Sequence, residues 1–226
     1  MALIEAENIY KEFEKRNTNV QVIKGISLKI EKGEFVSITG TSGSGKSTLL
    51  YLLSGMEPLT KGCVRIQGKT LNQMSNKEVS DLRRNDIGFV FQFYNLIAEM
   101  TVSDNVFLPS LIGKVPLDKK KLDELLEMVG LQNHKEKFPH ELSGGEQQRV
   151  AIARAVYGVP SIIFADEPTG NLDSINSQEI LRLLKEINKT YKTTIIQVTH
   201  DQKLAEKTDK IIKLEDGRIV YDTTNG

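Results

Sequence analysis

Gly40-Thr-Ser-Gly-Ser-Gly-Lys-Ser47 satisfies G-x-x-x-x-G-K-[ST], a spacing whose chemistry is the holding of phosphate. Glycines let a backbone wrap closely around phosphate oxygens with its N–H groups pointing inward, and a following helix adds positive potential at its amino end. Gly40, Ser42, Gly43, Ser44 and Gly45 are the expected cradle, with Thr48 opening the helix behind it. Lys46 should reach the β- and γ-phosphates of a nucleotide, and the Ser47 hydroxyl should ligate Mg2+. The competing reading is a glycine-rich turn that binds nothing, and the placement argues against it: the apolar run Phe35–Thr39 precedes the loop and the helical pattern to Leu53 follows. A guanine reader would need Asn-Lys-x-Asp, and the nearest stretch, Asn188-Lys-Thr-Tyr191, ends in the wrong residue.

Two further clusters suit phosphate chemistry. Ser161-Ile-Ile-Phe-Ala-Asp166 reads as a buried strand ending in a carboxylate that can stay ionised on a metal, and Glu167, next to it, can act as general base toward an in-line water. Leu142-Ser-Gly-Gly-Glu-Gln-Gln-Arg149 precedes an Ala/Arg-rich helical stretch. Its blandest reading is Ser143 as an N-cap loosened by Gly144 and Gly145. The same turn is a second anion site with exposed N–H groups, so the chain holds two such sites and one lysine-bearing loop.

These residues need elements to carry them. Apolar runs predict strands at Val20–Ile30, Phe35–Thr39, Cys63–Ile66, Ile87–Phe91, Ile162–Ala165, Thr194–Val198 and Ile211–Leu214. Helical patterns cover Lys46–Leu53, Asp118–Val129, Gly145–Val156 and Ser174–Asn188, and Ser75 and Thr101, each three residues ahead of an acid, mark further helix starts. Alternation of the two argues for an α/β fold with a largely parallel sheet, interrupted from Phe93 to Val159 by an almost wholly helical segment.

Composition removes several alternatives. Of the 226 residues, 30 are Lys or Arg and 30 are Asp or Glu, so the formal charge is zero and no basic footprint invites nucleic acid. A lone cysteine, Cys63, excludes an internal disulfide or a cysteine-built zinc cluster. The first residues lack the basic and apolar regions of a secretory signal, and no apolar run approaches the roughly 20 residues a membrane helix needs. A cytoplasmic protein is expected.

The order of phosphate loop, Gln92, Leu142–Arg149, Asp166-Glu167 and His200 resembles the ATP-binding cassette family over essentially the entire chain, and Leu142–Arg149 resembles its signature motif. The resemblance implies a P-loop NTPase core of mostly parallel sheet, an antiparallel β subdomain and an inserted helical subdomain. The whole chain is then one domain, with its core at about 1–92 and 160–226 and the helical subdomain at about 93–159. ATP and Mg2+ are the implied ligands. Two chains would pack head to tail, Ser143, Gly144, Gly145 and Glu146 of one closing on the γ-phosphate held by Lys46 of the other.

The same resemblance makes Gln92 a Mg2+ ligand and hinge beside Ser47 and Asp166, Glu167 the base, and His200 a γ-phosphate contact. Asn171-Leu-Asp173 resembles the loop that links the two sites, although the family's commonest residue at the first position is smaller than Asn. Phe13, two to three residues past the first strand, sits where an aromatic ring stacks on adenine, with Tyr10 the alternative. Phe89–Gln92, Asp166–Asp173 and Arg83–Gly88 resemble the branch serving macrolide export, lipoprotein release, antimicrobial-peptide resistance and cell division. The implied partner is an integral membrane permease-type subunit, which Phe93–Met100 would receive in a groove anchored by Tyr94, Leu96 and Met100. Cassette ATPases of DNA repair or translation, and a nucleotide switch without turnover, compete: the first generally carry coiled coils or zinc modules absent here, and the second has no need of Glu167.

Overall fold

A computed structural model describes residues 2–15, 18–112 and 116–223. They form two compact units, one holding the chain up to Asp81 together with everything from Thr194 onward, the other Leu82–Thr193.

In the first unit β1 (Ala2–Lys15) and β2 (Thr18–Glu31) make a long antiparallel pair, and β4 (Lys61–Ile66) and β5 (Lys69–Thr70) extend it in the order β2-β1-β4-β5. Its apolar residues alternate, with Ile4, Ala6, Ile23, Leu28 and Ile30 buried, as expected of a sheet packed on one face. Four more strands run in the order β10-β9-β3-β8: β3 (Phe35–Gly40), β8 (Thr194–Val198), β9 (Lys210–Glu215) and β10 (Arg218–Asp222). β3 is parallel to β8 and β9, and β10 is antiparallel to β9. β3 up to Thr39 and all of β8 are buried, which is why they read as largely apolar runs. Ser37, buried in the middle of β3, is tolerated because Gln197 Nε2 and Thr208 Oγ1 donate to its hydroxyl (2.9 and 3.0 Å). α1 (Lys46–Leu53) buries Leu49, Leu50, Leu52 and Leu53, and the short α7 (Gln202–Ala205) follows β8.

The second unit begins inside α2 (Asn76–Asp86), whose start is the expected Ser75/Glu78 capping box. It contains the parallel pair β6 (Ile87–Phe91) and β7 (Ile162–Asp166), with Phe91 opposite Asp166. Its helices are α3 (Val102–Ile112), α4 (Lys119–Met128), α5 (Gly144–Val156) and α6 (Ser174–Tyr191). The described residues between Phe93 and Val159 hold helices and turns and no strand. α5 lies directly on β6: a Cβ at Gly88 would stand 2.5 Å from the Ala155 carbonyl oxygen, so only glycine permits this approach. α6 presents Ile180, Leu181, Leu183, Leu184 and Ile187 as its buried stripe.

The strands and helices for which the sequence gives ranges lie within a few residues of their expected ends, while β1, β5, β10 and α7 lie outside those ranges. β1 runs on through Phe13 because it pairs with β2 along its whole length, so Phe13 is inside the first strand and not beyond it. β10 is unexpected: its apolar run, Ile219-Val220-Tyr221, is only three residues long, and it becomes a strand by pairing antiparallel with β9.

Candidate functional site

In the first unit the phosphate loop follows β3 and ends in α1 as expected. Gly40, at φ 147°, lies so close to the Leu214 carbonyl that no side chain fits, and Gly45, at φ 98°, caps α1 against the Val22 carbonyl. α1 has no side-chain cap and no acid in its first turn, which leaves its first N–H groups for an anion. Lys46 is buried, and its Nζ donates to the Thr41 carbonyl (2.8 Å). Among the described residues no carboxylate neutralises it. The Ser44 hydroxyl is buried without a hydrogen-bond partner. A glycine cradle, a buried ammonium on a neutral carbonyl and an orphaned hydroxyl fit a phosphate chain, because each gains from an anionic oxygen what the protein does not supply. Ser42 and Gly43 are exposed, while Ser47 and Thr48 are half-buried at the start of α1.

Two other expected residues belong to this unit. His200 is exposed just past β8, where the Thr199 amide donates to the Ile38 carbonyl (3.1 Å), so it stands beside the strand that feeds the loop. Phe13 pairs with Val20, two positions from Val22, and is 39% exposed with Lys11 Nζ 4.7 Å above its ring. Tyr10 instead turns its hydroxyl toward Gly25. Phe13 therefore offers the freer ring.

The second unit brings Gln92, Asp166, Glu167 and Asn171 together. Gln92 follows β6 and Asp166 ends β7, next to each other in the parallel pair. Glu167 adopts φ 46°, an uncommon conformation for a residue with a side chain, and its carbonyl accepts from the Gly170 amide (3.0 Å). A Cβ at Gly170 would stand 2.9 Å from Gln92 Nε2 and 3.1 Å from Glu167 Oε2, so the missing side chain is what lets both approach. Gln92 Nε2 donates to Asn171 Oδ1 (3.1 Å), and Asn171 Nδ2 donates back to the Gln92 carbonyl (3.1 Å). Asp173 caps α6, accepting from the amides of Asn176 and Ile175 and from Asn176 Nδ2 (2.8, 2.9 and 2.7 Å). The Asn176 amide first, and its side chain next, hold the Asp173 carboxyl below its usual range.

Ser143 caps α5 in a complete capping box. Its hydroxyl and amide donate to Glu146 Oε2 (2.6 and 2.7 Å) while the Glu146 amide donates to the hydroxyl (3.3 Å). Gly144 and Gly145 carry no side chains because the Tyr94 hydroxyl and the Asn176 amide occupy that space, at 2.8 and 2.6 Å from the positions of a Cβ.

Three contacts here were not visible as functional in the sequence. His134 Nε2 lies 3.2 Å from Glu146 Oε1. Arg154 of α5 donates to the carbonyls of Tyr94 and Asn95 (2.8 and 2.5 Å), both at positive φ, and so ties the stretch after Gln92 to the helix behind the glycine turn. Asn176 links the cap of α6 to Gly145. Only folding makes neighbours of these positions. In the stretch after Gln92, Phe93 is 73% exposed, while Tyr94, Leu96 and Met100 are half-buried.

For a divalent cation, the second unit offers the Asp166 carboxylate and the amide oxygen of Gln92, and the first unit separately offers the Ser47 hydroxyl, each an oxygen of the kind that Mg2+ prefers. Among the described residues no group of three or more His, Cys, Asp or Glu is placed to hold a metal by itself. No helix among them is long and apolar enough to cross a membrane.

Comparison with known proteins agrees with this chemistry. The family described as "ABC transporter" matches residues 23–170. The bacitracin export ATP-binding protein BceA of Halalkalibacterium halodurans is 44% identical over 230 residues, covering 100% of this chain and 90% of that protein. The lipoprotein-releasing system ATP-binding protein LolD of Aquifex aeolicus is 47% identical, covering 98% of each. Among solved structures, a dimeric post-hydrolysis state of the ATP-binding cassette MJ0796 bound to ADP and Pi superposes with a TM-score of 0.89 at 39% identity, covering 97% of both chains.

Proposed function

The chain belongs to the ABC transporter family as an ATP-binding and ATP-hydrolysing subunit, and from that premise we propose that two copies sandwich two ATP molecules and drive an integral membrane permease-type partner. The observation that carries this reading is the split of its anion chemistry. The first unit has a lysine-bearing loop with an orphaned hydroxyl, and the second has a separate glycine turn at the start of α5 with no lysine of its own. Two incomplete halves are completed when Lys46 of one copy and Ser143, Gly144, Gly145 and Glu146 of the other hold one γ-phosphate. The similar MJ0796 cassette, described as dimeric and bound to ADP and Pi, supports a nucleotide-bound dimer.

In this reading the loop Gly40–Thr48 binds the phosphates through backbone N–H groups and Lys46, and Phe13 stacks on adenine. Ser47, Gln92 and Asp166 would hold Mg2+, which would supply positive charge against the phosphates. Glu167 takes the proton of the attacking water, and His200 contacts the γ-phosphate. The 93–159 segment is the inserted helical subdomain, joined to the rest at Gln92. Export of a compound such as bacitracin, release of lipoproteins or resistance to antimicrobial peptides is the class of work, as the names of BceA and LolD suggest. Zero formal charge gives the chain no overall basic footprint to favour nucleic acid as its partner. The work is done at the inner face of the cell membrane, with the membrane crossing supplied by the partner.

Glu167→Gln tests the assignment. Turnover should fall by at least about two orders of magnitude while ATP still binds, and ATP should then hold a stable dimer visible by light scattering. Near-normal hydrolysis in the purified variant would remove Glu167 from the mechanism.

A further inference from the structure

The side-chain amide of Gln92 has a donor end and an acceptor end, and its neighbours permit only one orientation. Asn171 lies 3.1 Å from the Gln92 backbone carbonyl, which can only accept, so the Asn171 atom there is its amide nitrogen. The other end of Asn171 is then its oxygen, 3.1 Å from the Gln92 side chain, and the Gln92 atom facing it must be the nitrogen. Gln92 Oε1 is the end left over, and among the described residues nothing donates a hydrogen bond to it. Gly170 tightens the arrangement, since a Cβ there would stand 2.9 Å from that nitrogen.

We infer that Asn171 is a positioning residue for the metal: it commits the nitrogen of the Gln92 amide within its own chain and leaves the oxygen as the end that can ligate a cation. A primary amide free to turn presents either end with about equal ease, and only its oxygen can ligate Mg2+. The bond back to the Gln92 carbonyl fixes Asn171 itself, so turning the Gln92 amide sets oxygen against the Asn171 oxygen and loses that link, and turning Asn171 to follow it loses the bond to the carbonyl as well. The larger side chain at the head of the Asn171–Asp173 loop has this use: a smaller residue could not span the Gln92 carbonyl and the Gln92 side chain at once. The inference rests on reading Gln92 as a Mg2+ ligand.

The test is the affinity of Mn2+, followed by electron paramagnetic resonance in the presence of a non-hydrolysable ATP analogue, for wild type, Asn171→Ala, Gln92→Ala and the double variant. Asn171→Ala should raise the half-saturating Mn2+ about tenfold or more, the usual scale for losing a group that orients a metal ligand. Affinity for the analogue in EDTA should not change, and the double variant should bind Mn2+ no more weakly than Gln92→Ala alone. Asn171→Ser, whose hydroxyl is too short to bridge both groups, should show the same shift and serves if the alanine variant is unstable. Unchanged Mn2+ affinity in Asn171→Ala beside a weakened Gln92→Ala overturns the positioning role. If Gln92→Ala also binds Mn2+ normally, the ligand assignment fails and the positioning role with it.

Discussion

The loop Gly40–Ser47 and the turn Glu167–Asp173 both follow a buried strand, yet they hold their chemistry in different ways. The loop is made of backbone: glycines where no side chain fits, uncapped amides at the start of α1, and a buried lysine resting on a neutral carbonyl. It is left short of anionic partners, and its Ser44 hydroxyl is orphaned. The turn is made of side chains that satisfy each other, through Gln92–Asn171 and Asp173–Asn176, around a glutamate at positive φ. On the proposed reading, affinity for phosphate and control of turnover are seated in different units of the chain.

Lesions in the two regions should separate these quantities. The largest effect on affinity is expected from Lys46→Ala, which removes a charge paired with phosphate in ground and transition states alike. Nucleotide binding by calorimetry should weaken by at least about tenfold. Glu167→Gln, by contrast, should bind nearly as well as wild type. Unchanged affinity in Lys46→Ala would contradict the placement of the loop.

Gly170→Ala sharpens the contrast within the second region. The added methyl meets Gln92 Nε2 and Glu167 Oε2 and displaces both, so kcat should fall about ten- to a hundredfold. Nucleotide affinity in EDTA should remain within about twofold of wild type, because the loop is untouched. An equal loss in both quantities would mean that the two regions are not separable.

The difference between the regions also explains what could be read from the sequence. Gly40–Ser47 was legible because a backbone-built site is written in consecutive residues, and Ser143–Glu146 for the same reason. The Gln92–Asn171 link joins positions 79 apart, and Arg154 reaches Tyr94 over 60. Neither has a local pattern to announce it. Strand and helix cores were legible from their apolar runs. The reach of β1 through Phe13 was not, since it depends on pairing with β2 and not on its own composition.

A smaller effect is expected at the capping box. The Ser143 hydroxyl first, then its amide, and more weakly His134 and Arg149, hold the Glu146 carboxyl below its usual range despite partial burial. A carboxyl whose pKa is lowered by folding adds stability that is fully present above the unfolded value of about 4.3 and is lost as pH falls through the folded one. Wild type should therefore unfold at a higher temperature than Glu146→Ala at pH 7, and the gap should narrow below about pH 4. A gap that does not change with pH would show that the carboxylate charge contributes nothing to the cap.

The claim that one chain carries two halves of a shared site is tested most directly by mixing Ser143→Arg and Lys46→Ala chains, both in the Glu167→Gln background, and measuring ATP-dependent dimerisation by light scattering. A mixed head-to-tail dimer pairs the intact Lys46 of one chain with the intact Ser143 of the other and gathers both lesions in the opposite site. Dimerisation should appear on mixing and be absent for either variant alone. If each chain instead closed its own site, neither would be whole, and a mixture that stays monomeric in ATP would contradict the account.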